Sequence, residues 1–78
     1  MKGQLSPRSR RLLVETAAQE EDRARVARER AKTCDAVSAR GGGIPSEILE
    51  ASTLRTAAYW HDRTARLIKS AAPELFRP

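Results

Sequence analysis

One histidine and one cysteine limit the chemistry open to this chain. A structural zinc ion takes four ligands, and His61 with Cys34 cannot supply them within one chain. His61 falls in the middle of an apolar helical stripe. It is expected to be a partly buried histidine, satisfied by Glu20 or by a residue of a second chain. The functional alternative is a pH switch or ligand. Cys34 reads as a small core residue rather than a reactive thiol, and a lone cysteine excludes an internal disulfide framework. Gly41-Gly42-Gly43 lacks the Lys-Ser/Thr of a phosphate-binding loop, so the run is read as a hinge. Carboxylates are plentiful, but most alternate with bases on solvated faces, and no nucleophile–base–acid set can be assembled. The expectation is a protein that is not an enzyme, with no catalytic residues, cofactor, metal or small-molecule substrate.

Charge gives the one candidate binding feature. The net charge is +5, with a pI near 10.4. Residues 1–11 hold Lys2, Arg8, Arg10 and Arg11 and no acid, whereas the rest of the chain is close to neutral. These four cations are the expected nucleic-acid contacts, to phosphates rather than bases. The competing reading is a solvated arm without a ligand. By the same count, the body is expected to carry no basic face of its own.

The elements that must position these groups are helices. Seventy-eight residues allow one small domain. Aromatics make up only 4% of the chain, so alanine carries most of the apolar count, and β-branched residues never alternate over a strand's length. Leu13, Ala17, Ala24, Ala27, Ala31 and Cys34 recur by fours and threes, with Glu20 and Ser38 in the same series. Leu54, Ala57, Ala58, His61, Ala65, Ile68 and Ala72 form a second stripe. The expected helices are about 9–40 and 46–72. Before them comes a basic flexible arm, 1–8, and after them a tail, 73–78, whose Leu75 and Phe76 can pack back. Ser6 could cap the first helix with Pro7 at its first position. Three arginines would then oppose the macrodipole, and Thr16 to Gln19 offers a second, later capping box. Glu21–Arg25 is expected as a favourable pair one turn apart, and Arg25–Glu29 as a weaker one. Pro73 pushes Ala72 out of helical angles and stops the second helix.

Two long helices on a short loop are antiparallel neighbours. Folding at Gly42 makes facing residue numbers sum to about 85, and both stripes then end together, with Leu13 at Ala72. The fold class is therefore all-α: an antiparallel helical hairpin over 9–72, coiled-coil-like in its spacing. One partner helix covers a stripe on the order of 100° wide, yet the second helix is apolar over much more. Leu12, Val26, Val37, Trp60 and Leu67 are left over as a dimer interface. A second copy would complete a four-helix bundle, so the expected partner is a homodimer mate. No apolar stretch approaches a membrane span and nothing reads as a signal peptide. A cytoplasmic protein without a membrane partner is expected.

Two resemblances follow from these residues. Glu47-Ile48-Leu49-Glu50-Ala51-Ser52-Thr53-Leu54-Arg55, continuing to Tyr59, resembles the helix-turn-helix of small bacterial and phage regulators. Ile48, Ala51, Leu54 and Tyr59 match its framework. Thr53 replaces the turn glycine, Arg55 the capping serine, and Leu49 a small residue. That resemblance implies a DNA-binding transcriptional regulator with Thr56 to Asp62 as its recognition helix. In length and build the whole chain is similar to the small plasmid-encoded helical-hairpin accessory proteins, Rop-like in build and Kle-like in size. This second resemblance implies a non-enzymatic accessory or regulatory protein of a plasmid or other mobile element that acts by binding a macromolecule. A phage or plasmid adaptor that binds a host protein is the third reading.

Overall fold

A computed structural model describes residues 5–41 and 45–77. The chain forms helix α1, Pro7–Gly41, and helix α2, Pro45–Ala71, followed by a short 3-10 turn, Pro73–Phe76. The helices lie side by side and antiparallel in a rod 60 × 19 × 17 Å. Among the described residues there is no strand, and no helix is long and apolar enough to cross a membrane.

The first helix begins two residues earlier than the periodicity alone suggests. The Ser6 hydroxyl accepts from the Ser9 amide at 3.1 Å, and the Ser6 carbonyl accepts from the Arg10 amide at 2.9 Å. Ser6 is therefore the N-cap and Pro7 the first helical residue, which needs no amide donor. Arg8 consequently lies in the helix rather than in an arm. Thr16 to Gln19 sits inside the helix and starts nothing. Gly41 is the last residue of α1. Gly42 and Gly43 of the expected hinge lie outside the described residues, as does Lys2.

Helix α2 is unbroken from Pro45 to Ala71. The Thr53 hydroxyl donates back to the Leu49 carbonyl at 3.0 Å, a bond that exists only within a continuous helix. The turn of a helix-turn-helix is thus absent here. Thr53 and Arg55 lack the glycine and the capping serine that would break the helix. At the far end Ala72 takes φ −138°, and Pro73 begins the 3-10 turn. Leu75 and Phe76 are half-buried where that turn meets both helices.

The seam between the helices is built from alanine. Ala17, Ala24 and Ala31 recur every seven residues on α1, and Ala51, Ala58 and Ala65 do so on α2, with Ala72 continuing the series just past its end. Together with Ala27 they are the whole set of buried apolar residues among those described. Ala24, Ala27 and Ala58 form the central cluster, with Leu54 packed on it. Cys34 is half-buried at the edge of the helix pair.

Candidate nucleic-acid interface and the exposed apolar side

The seam has two flanks of different chemistry. On one, Glu21, Arg28 and Asp35 stand every seven residues along α1 and meet Lys69, Asp62 and Arg55 of α2. In each pair the residue numbers sum to 90. The signs alternate along each helix, so sliding either helix by seven residues would set like charges face to face. Lys69 Nζ lies 2.6 Å from Glu21 Oε2 and 5.6 Å from the centre of the Phe76 ring, tying the 3-10 turn to the ladder. Glu21 therefore does not make the expected pair with Arg25, because it faces α2. Arg25 pairs instead with Asp22 and, at 3.1 Å, with Glu29.

The other flank carries the Glu20–His61 contact. His61 Nδ1 donates to Glu20 Oε1 at 2.8 Å, with the two side chains 33% and 12% exposed. Arg23 also donates to Glu20, at 2.9 Å. The His61 hydrogen bond is the main reason the Glu20 carboxyl sits below the usual glutamate range. It outweighs burial, which pushes the other way. Arg30 approaches Glu50 at 3.9 Å on the same flank. Facing numbers there sum to 81 and 80, so the two flanks straddle the expected register of about 85.

Away from the seam, large apolar side chains are exposed. Leu12, Val26, Val37, Trp60 and Leu67, named from the sequence as an interface, are all exposed, with Trp60 at 57% and Leu67 at 58%. Leu49 and Tyr59 are exposed as well, and Tyr59 and Leu67 lie on the ladder side. Tyr59 and Trp60 meet edge to face at 5.2 Å, and the Arg63 guanidinium lies 5.9 Å over the Trp60 ring.

The cations fall into two groups. Arg8, Arg10 and Arg11 project from the first turn of α1, which contains no acid. Arg10 Nε donates to the Leu5 carbonyl at 3.3 Å. The antiparallel fold brings this turn beside the end of α2, so Glu74 and Arg77 come to the same open end of the rod. A second group lines an open groove of about 660 Å3 on the ladder side. Its walls include Arg28, Lys32, Arg55, Arg63 and Arg66 against a single carboxylate, Asp62. This corrects the expectation that the body has no basic face. The chain count is near neutral, but most carboxylates are drawn into pairs or point elsewhere. The spacing of Glu21, Arg28 and Asp35 was visible in the sequence, and matching it to 55, 62 and 69 would have exposed the ladder. Among the described residues, no three His, Cys, Asp or Glu side chains come together to hold a metal ion.

No protein-family model, curated protein or solved structure matches this chain.

Proposed function

We propose that this chain is a non-enzymatic helical accessory protein, of the kind carried by plasmids and other mobile elements, which binds nucleic acid as a homodimer. The observation that carries the reading is the open end of the rod. Arg8, Arg10 and Arg11 crowd the positive end of the α1 macrodipole, whose first turn contains no acid. That arrangement is unfavourable for the isolated helix and favourable once phosphate arrives. The mobile-element setting rests on length and build alone.

Dimerisation is supported by surface area. The chain exposes 6016 Å2. A compact monomer of 8.6 kDa would expose about 4,700 Å2. The excess, about 1,300 Å2 per chain, is within the range that homodimers bury. An alanine seam is also a weak driver, since each buried methyl contributes about 0.8 kcal/mol. The apolar side bearing Val26, Val37, Trp60 and Leu67 is the surface that a second copy would cover.

The test is binding to duplex DNA as a function of salt. Contacts from Lys2, Arg8, Arg10 and Arg11 would give a log–log slope of about −3.6 per chain, with little dependence on base sequence. Substituting the four by alanine should remove most of that slope and leave the helical signal intact. A full chain that binds no nucleic acid at low salt would refute the reading and leave a protein-binding adaptor in its place.

A further inference from the structure

The groove on the ladder side joins three features in one place. Its floor is apolar, formed by Ala31 and Ala58 of the seam. Its rim is cationic: Lys32 on α1, with Arg63 and Arg66 on α2. Among the described residues neither Lys32 nor Arg66 has an ion-pair partner, so both are available to a ligand. Arg28 and Arg55 are held by Asp62 and Asp35, which removes those two carboxylates as competitors for the rim cations. Third, Tyr59 presents an exposed ring into the same groove, steadied edge-on by Trp60.

We infer that this groove binds single-stranded nucleic acid, with Lys32, Arg63 and Arg66 on phosphates and a base stacked on Tyr59. The inference rests on the nucleic-acid reading above and adds to it a second site, for single strands. Cations beside an exposed aromatic ring are the combination that tracks a single strand, because an unpaired base has a free face to stack. A paired base has none to offer at the edge of a duplex. An acidic peptide would use the cations and ignore the ring. From Arg55 to Ser70 the groove runs about 22 Å along α2.

The experiment uses the full chain with labelled 12-mers of dT and rU, and with a 12-base-pair duplex, by fluorescence anisotropy at several salt concentrations. Emission of Trp60, the only tryptophan, is followed alongside. Y59A should weaken single-strand binding about tenfold or more, and Y59F should hold it within about twofold. Duplex binding should be unmoved by either. K32A/R66A should reduce the single-strand slope by about 1.4, with helicity unchanged by circular dichroism. Equal single-strand affinity for Y59A and the parent chain would overturn the groove assignment, as would equal competition by poly-glutamate. If single-strand binding instead vanishes only with the Arg8, Arg10 and Arg11 substitutions, the groove assignment falls and the open-end reading stands. If the parent chain binds nothing at low salt, both fall.

Discussion

Trp60→Ala gives the sharpest test of the homodimer. A tryptophan side chain presents about 250 Å2 when fully exposed. At 57% exposure, about 140 Å2 of it meets solvent in the isolated hairpin. Covering that area at about 25 cal/mol per Å2 contributes about 3.5 kcal/mol per chain. A two-fold interface counts each residue twice, so the dimer loses about 7 kcal/mol at most. That is about five powers of ten in the dissociation constant, enough to turn a nanomolar dimer into one of about 0.1 mM. Sedimentation equilibrium at micromolar protein should give twice the chain mass for the parent and one chain mass for the variant. Helicity should fall with the loss of the dimer, because the alanine seam is left alone to hold the hairpin. Leu67→Glu, at a neighbouring exposed position, should act the same way. A parent chain that is monomeric and fully helical at micromolar concentration would refute the reasoning. So would a Trp60→Ala chain that keeps the parent's mass.

Thr53→Pro should cost about 3 kcal/mol or more in a denaturant titration, and Thr53→Ala should be neutral or stabilising, because Thr53 lies inside a continuous helix. Asp62→Arg places like charges across from Arg28 and should lower stability, and Arg28→Asp in the same chain should restore it. The pair is partly exposed, so the coupling in the double-mutant cycle should be only about 0.2–1 kcal/mol. The depressed Glu20 carboxyl makes stability depend on pH on the acid side. Its contribution is complete above the usual glutamate range and is lost as pH falls through the lowered value, since the unfolded chain binds the proton more readily. Melting temperatures measured across acid pH should show this slope in the parent and a flatter one in Glu20→Gln.

The sequence by itself determined the two helices and their pairing. A cap at Ser6-Pro7, three glycines and Pro73 act on the nearest few backbone dihedrals, so local residues suffice to place them. The alanines recur at the period of a helix, so the seam and its register of about 85 also follow from spacing. His61 and Glu20 were legible as neighbours for the same reason. The surplus apolar residues could be counted, because two stripes cannot cover a helix face wider than one partner. Only the tertiary structure decided where the charges end up. A tally along the chain sets Arg28 and Arg55 beside Asp62 and Asp35 as mere neutrality. In space the ladder draws these carboxylates into pairs on one flank and leaves Lys32 and Arg66 unpaired beside Tyr59. The antiparallel pairing likewise carries Glu74 and Arg77 to the end that holds Arg8, Arg10 and Arg11. Coulomb energy depends on distances across the seam, and those are fixed by rotation of each helix about its axis, which a one-dimensional charge count does not contain.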